Sequence, residues 1–172
     1  MAVFPIFGRK QKKITTLDEW RKFAPPQFPD RQWKIGRSAM ELARAWVEGC
    51  LPLEVEELLQ SSPITKGFVP SCAWAELQTP LDGLDGNTRT HDLVVRGHVS
   101  GLKKFILAVE GKADESFDKT IAKRLAQVER KGIPSGVPKR IFDLAQAVMH
   151  STTNDVAGLH YQLLVVGSRH PY

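Results

Sequence analysis

The sequence predicts an α/β fold with an α+β tendency, in which helices at both ends of the chain flank a mixed sheet of three to four strands. An unbroken apolar run at residues 105–109 and a β-branched stretch at residues 90–96 indicate the strands. Segments with apolar residues at helical spacing precede and follow them. We therefore expect N-terminal helices, a central antiparallel meander and flanking C-terminal helices.

The composition bounds the class of protein. The 172 residues are 42% hydrophobic and 25% charged, which is ordinary for a globular domain. No apolar run approaches transmembrane length and the apolar N-terminus is too short for a signal peptide, so we expect a cytoplasmic protein without a membrane partner. Cys50 and Cys72 lack zinc-ligand spacing and are expected to be reduced thiols.

Residues 1–14 are interpreted as a basic N-terminal arm, separate from a single domain that spans residues 15–172. An apolar tip is followed by four basic residues, Arg9, Lys10, Lys12 and Lys13. Two alternatives stay open for this arm, since such a segment either contacts phosphates or is disordered.

Three helices are expected before the sheet, and two of them begin with a capping-box pattern. Thr16 with Glu19 starts the first helix, and Ser38 with Glu41 starts the second. In this pattern the hydroxyl and the carboxylate each accept from a backbone N–H that the helix leaves without a partner. A third helix is expected over residues 52–60, with a proline in its first turn.

The meander consists of strands at residues 72–77, 90–96 and 104–109. Because five apolar residues follow one another in the last of these, we expect that strand to be buried on both faces, at the centre of the sheet. A short Ser-Gly connection at residues 100–101 predicts that the second and third strands form an antiparallel hairpin.

Polar residues are concentrated where the third strand ends. Glu110 and Lys112 are two residues apart, so extended backbone directs both side chains to one side, and Gly111 between them permits close approach of another molecule. The hairpin should bring Asp92 beside Glu110. Two carboxylates suit Mg²⁺ or Mn²⁺, and a neighbouring ammonium suits a metal-bound water or a developing charge. The alternative, a solvated strand edge with a turn aspartate, is common and stays open.

The pattern Asp92…Glu110-Gly111-Lys112 resembles the PD-(D/E)xK signature of restriction-endonuclease-like nucleases, with His91 in place of the signature proline. The run Val-Glu-Gly-Lys-Ala-Asp-Glu-Ser-Phe is also similar to a little-described bacterial branch with a VEGK-type motif. The resemblance covers roughly residues 35–165 of this chain.

This resemblance implies a restriction-endonuclease-like core and a Mg²⁺-dependent nuclease that hydrolyses phosphodiester bonds, with DNA as the favoured substrate. Asp92, Glu110 and the Gly111 carbonyl would bind Mg²⁺ or Mn²⁺. Lys112 would position the attacking water. The alternative is a non-catalytic nucleic-acid- or protein-binding module of the same fold, such as a defence-system accessory protein.

Further site residues follow from the resemblance. Such nucleases often deliver an acidic residue from an N-terminal helix, for which Glu41 is the candidate beside its capping role, and a polar residue from a late helix, for which Gln162 is the candidate. Glu76 is interpreted as a solvated strand residue, with a secondary metal ligand as the alternative. The core of this superfamily adds one or two strands near residues 165–172, so the tail forms a short strand or the sheet is truncated.

The charge distribution suits an anionic partner. The formal net charge is +5. The helix expected over residues 118–131 has a basic face that would follow a nucleic-acid backbone: Lys119, Lys123, Arg124 and Arg130. A solvated basic face is the alternative. Another helix is expected over residues 137–150, and a homodimer is compatible with all of these expectations.

Overall fold

The computed structural model describes residues 3–80, 88–99, 103–114, 116–132, 134–149 and 152–161, and within these ranges it confirms the α/β class. The strands are β1 (Ile6–Phe7), β2 (Lys13–Ile14), β3 (Val69–Pro80), β4 (Thr88–Val99) and β5 (Lys103–Val109). The helices are α1 (Leu17–Phe23), α2 (Pro29–Gln32), α3 (Ser38–Trp46), α4 (Leu53–Ser61), α5 (Ile121–Lys131) and α6 (Val137–Met149).

The strands form one mixed sheet in the order β2-β1-β3-β4-β5. β1 is antiparallel to β2 and parallel to β3, and β4 and β5 form the predicted antiparallel hairpin. Within the described ranges β5 is an edge strand, and Ile106 is 39% exposed, so its predicted central position is wrong. An apolar run shows that a strand packs on a core but does not show what lies beside it. The middle strand of the described sheet is β3, and Leu93 and Val95 on its neighbour β4 are 0% exposed.

The described part of residues 1–14 belongs to the sheet, which corrects the expectation of a separate arm. Ile6 and Ile14 pair across β1 and β2 and are 1% and 2% exposed. A three-residue 3₁₀ turn, Arg9–Gln11, connects the two strands. Burial of these two side chains favours ordering of the short strands, since each apolar side chain removed from water contributes about 1.5–3 kcal/mol.

The chain divides into two compact units, whereas a single domain was expected over residues 15–172. One unit comprises Met1–Thr79 with Thr90–Glu115, and the other comprises Pro80–Arg89 with Ser116–Tyr172. The first unit has a core that includes Trp20, Trp46, Phe68, Leu93 and Val95. The second has its own core of Ile121, Ile141, Leu144, Ala145 and Val156.

The helix starts follow the sequence only in part. α1 begins as predicted, because the Thr16 hydroxyl accepts a hydrogen bond from the Glu19 N–H at 3.2 Å. α3 does not form the predicted capping box, since Arg37 is its N-cap residue and makes no side-chain cap bond. Glu41 instead accepts from the Gly36 N–H at 2.8 Å.

The two helices of the second unit match their predicted positions. α5 has Thr120 as its N-cap and ends at Gly132, whose φ of 60° is the left-handed conformation that closes many helices. α6 covers Val137–Met149, and residue 150, the predicted end, lies outside the described residues. No helix in the described part of the chain is both long and apolar enough to cross a membrane.

Candidate active site

The end of the β4–β5 hairpin opens into a cleft of about 820 Å³ in the first unit. Asp92, Glu110, Gly111 and Lys112 all line this cleft, so the structure brings together the residues that the sequence motif connects. α1 and α3 contribute further walls through Trp20, Ser38, Ala39 and Leu42. The folded chain therefore presents this polar cluster on a concave surface, which is where substrate sites are usually found.

Strand register explains why Asp92 and Glu110 meet. Leu93 pairs with Val109, the last pair of the hairpin, and Asp92 and Glu110 are the residues next to this pair in each chain segment. The Asp92 carboxylate accepts a hydrogen bond from the Gly111 N–H at 2.8 Å. Lys112 Nζ lies 3.5 Å from Glu110 Oε1, and their side chains are 21% and 12% exposed. Both charges thus lie on one side of the chain, as the two-residue spacing predicts.

The segment that follows β5 is held on its other side by the start of α3. The Ser38 hydroxyl accepts from the Ala113 N–H at 3.0 Å, instead of capping its own helix. Arg37 and Asp114 form an ion pair at 2.8 Å. A Cβ atom at Gly111 would lie 3.4 Å from the Ser38 carbonyl oxygen, so the backbone here is close to the helix. Contacts from β4 and α3 together fix the residues that carry Glu110 and Lys112.

A third carboxylate, that of Glu76 on β3, also lines the cleft. Burial and the charges of Asp92 and Glu110 raise the pKa of Glu76 to about 7, and the charge of Arg9 opposes that rise. The interpretation of Glu76 as a solvated strand residue is therefore corrected. The φ of Glu76 is 53°, a left-handed backbone conformation inside β3 that the sequence does not indicate.

Glu41 is not brought to this cluster. Its carboxylate accepts from the Gly36 N–H and lies 3.6 Å from Arg44 Nη1, and it does not line the cleft. The local backbone bond accounts for its position, because it satisfies an N–H in the turn before α3. Gln162, the other helix-borne candidate, lies outside the described residues.

The predicted nucleic-acid-binding residues all lie in the second unit. Lys119 and Arg124 share the Gln127 side chain as acceptor, at 3.1 Å and 3.5 Å, and the Arg124 guanidinium lies 5.7 Å from the centre of the Tyr161 ring. Lys123 and Arg130 are exposed. The structure thus places these four residues on or next to α5, and their contact with nucleic acid stays a prediction.

Two basic residues at the cleft were not among the predicted site residues. Arg9 and Lys10, from the turn between β1 and β2, are exposed and line the cleft. Their charges are visible in the sequence, but their position depends on the pairing of β1 with β3, which joins residues more than 60 apart. No local pattern predicts such a pairing.

The side chains present fit a hydrated divalent ion better than a closed metal cage. Among the described residues, no three Asp, Glu, His or Cys side chains lie close enough together to hold an ion on their own. Mg²⁺ needs fewer than three protein ligands of this kind, because it usually keeps several waters and binds through one or two carboxylates plus substrate oxygens. Asp92 and Glu110 supply two such carboxylates in the cleft, and Glu76 lines it beside them.

The comparisons with known proteins give a family without an assigned activity. No protein of curated function and no solved structure matches the chain. Residues 13–166 match one family, which covers β2 to β5 and both helices of the second unit. Because this match spans most of the sequence, the chain belongs to the family described as Domain of unknown function (DUF6946).

Proposed function

We propose that the protein is a Mg²⁺- or Mn²⁺-dependent nuclease that hydrolyses phosphodiester bonds of nucleic acid, with DNA as the favoured substrate. One observation carries the proposal: Asp92, Glu110 and Lys112 have the order of the PD-(D/E)xK signature and line the same cleft. The Asp92–Gly111 hydrogen bond and the Glu110–Lys112 contact support it, because reacting groups must be held in fixed relative positions.

Each residue has a defined part in this proposal. Asp92, Glu110 and the Gly111 carbonyl would hold the ion, and Glu76 would add a carboxylate to the same wall. A bound divalent ion lowers the pKa of a coordinated water and offsets charge on the phosphate. The Lys112 ammonium would orient the attacking water and stabilise the added charge of the transition state. The partly buried Lys112 ammonium interacts more strongly with a nearby negative charge than it would in bulk water, because water screens the interaction less.

A cytoplasmic location is part of the proposal. Cys50 and Cys72 are free thiols, as expected for a protein in a reducing compartment.

Replacement of Lys112 by Ala tests the proposal directly. Plasmid DNA would be incubated with purified protein in Mg²⁺ or Mn²⁺, and the Lys112→Ala variant should cleave it ~10²–10³-fold more slowly than the wild type. Ion affinity, measured by calorimetry, should be retained, because Lys112 is not a ligand in this scheme. Lys104→Ala is the matched control, since Lys104 is exposed on β5 and does not line the cleft.

Equal cleavage by the wild type and Lys112→Ala would contradict the proposed role. If the wild type cleaves under neither metal but still binds DNA, the nuclease proposal fails and a non-catalytic binding module becomes the better description.

A further inference from the structure

We propose that the turn between β1 and β2 is a phosphate-binding element, in which Arg9 and Lys10 hold the sugar-phosphate backbone of nucleic acid next to the carboxylate cluster. The inference rests on the proposed function, since it takes the substrate of that site as its ligand. It divides the four basic residues of segment 9–13 into two groups. Arg9 and Lys10 contact phosphate, whereas Lys12 and Lys13 do not.

The two groups of basic residues differ in their position relative to the cleft. All four side chains are exposed, but Arg9 and Lys10 line the cleft that contains Asp92 and Glu110, whereas Lys12 and Lys13 do not. Within the described residues, Lys10 forms no ion pair that would occupy its ammonium. The cleft therefore has positive groups at the turn and negative groups at the strand ends.

The turn is held in place from three directions. The Gly8 N–H donates to the Lys12 carbonyl at 2.8 Å, and the Trp74 indole N–H donates to the Gln11 side chain at 3.0 Å. A Cβ atom at Gly8 would lie 2.6 Å from the Phe23 carbonyl oxygen, so the chain lies directly against the end of α1. A rigid turn presents its two cationic side chains without a large ordering cost on binding.

The backbone of the turn is strained at a residue that carries one of these charges. Lys10 has φ 55° and Gln11 has φ 57°, in the left-handed region that side chains disfavour. Strained non-glycine residues tend to occur at ligand sites, where the surrounding structure holds them. A glycine would adopt this conformation freely, so the lysine at this position indicates a use for its side chain.

The charges that line the cleft indicate what the Lys10 side chain is used for. Among the described residues, Lys112 is the one cation beside the carboxylates of Glu76, Asp92 and Glu110 at the strands, and one metal ion cannot neutralise the phosphates that flank the reacting one. Arg9 lines the same cleft as Glu76, Asp92 and Glu110, so the turn and the carboxylates face one cavity. Cations that line the same cleft as the carboxylates are suited to the flanking phosphates. Phosphate contacts of this kind provide most of the affinity of nucleic-acid-binding proteins.

Binding of a fluorescent DNA duplex, measured by anisotropy in Ca²⁺ over a range of salt concentrations, tests the inference. Arg9→Ala and Lys10→Ala should each weaken binding about tenfold at 50 mM salt and reduce the slope of log affinity against log salt by ~0.9, because each removes one phosphate contact. The matched controls Lys12→Ala and Lys13→Ala should leave both quantities nearly unchanged. Equal losses in all four variants, or in none, would overturn the inference whether or not the wild type cleaves DNA.

A glycine variant separates binding from folding. Lys10→Gly removes the charge and relieves the strained backbone, so its melting temperature should be equal to or above that of the wild type while its DNA affinity falls. Unchanged affinity in this variant would show that the lysine has no part in binding. If the wild type binds with the expected order of variants but cleaves under no metal, the nuclease proposal fails and the phosphate-binding turn stands.

A competition experiment identifies the source of the phosphate. A nucleoside monophosphate at the same total phosphate concentration should displace the duplex poorly, because it offers one phosphate where the strand offers several. Efficient displacement would overturn the assignment to a nucleic-acid backbone and assign the turn to small phosphate esters.

Discussion

Replacement of Glu76 by Gln should make the protein more stable at alkaline pH and leave it unchanged at acidic pH. Burial and the charges of Asp92 and Glu110 raise the pKa of Glu76 to about 7, from an ordinary value of 4.5. The folded protein therefore binds this proton more tightly than the unfolded chain does. The stability that results is fully present below pH 4.5 and is lost as the pH rises through about 7. A neutral amide at this position removes that loss.

The size of the effect follows from the same two values. At ~1.4 kcal/mol per pH unit, their difference corresponds to about 3 kcal/mol. Because the cleft is open to water, which screens the interaction, we expect roughly half of this, ~1–2 kcal/mol. The gain should appear at about pH 8 and vanish near pH 4.5.

Urea denaturation of the wild type and Glu76→Gln at these two pH values measures the difference. Glu48→Gln, at an exposed position away from the cleft, should show no pH-dependent gain. If the wild type and Glu76→Gln change stability in parallel between the two pH values, then Glu76 does not share a cluster with Asp92 and Glu110. Such a result would remove the third carboxylate from the site.

Two further predictions concern the metal and the backbone. Asp92→Ala should abolish divalent-ion binding in calorimetry whereas Glu41→Ala should not, because Asp92 lines the cleft and Glu41 does not. Loss of binding in both variants would count against the assignment of ligands. Gly49→Ala should cost ~3 kcal/mol or more in the free energy of unfolding, because its φ is 70° and a Cβ atom would lie 2.3 Å from the Phe4 carbonyl oxygen. Gly132→Ala, with φ 60° and open space around it, should cost only ~1 kcal/mol, and equal costs would contradict the close approach at Gly49.

The β4–β5 hairpin was predictable from the sequence because its determinants are local. A short connection between two strands fixes their register, and the register alone brings Asp92 opposite Glu110. Two-residue spacing likewise places Lys112 on the side of Glu110. The Thr16 cap of α1 and the end of α5 at Gly132 are local in the same sense, since each depends on residues within one helical turn.

Predictions for residues in helices and strands were wrong where contacts distant in sequence determine the position of the residue. Ser38 and Glu41 have the spacing of a capping box, but the Ser38 hydroxyl accepts from the distant Ala113 N–H. Glu41 then accepts from the nearby Gly36 N–H. The apolar run of β5 indicates burial of one face and says nothing of the neighbours of the strand. Its edge position within the described sheet follows from the order of all five strands.

By itself, the sequence determined the α/β class, the hairpin and the grouping of Asp92, Glu110 and Lys112, because neighbours in the chain impose these through backbone geometry and short connections. It did not predict β1 and β2. Only the tertiary structure placed Glu76, Arg9 and Lys10 at the same cleft. Their positions depend on the parallel pairing of β1 with β3 and on left-handed backbone at Lys10 and Glu76. Both features are stable only when surrounding contacts outweigh the chain entropy and local strain that they cost, and no short stretch of sequence contains those contacts.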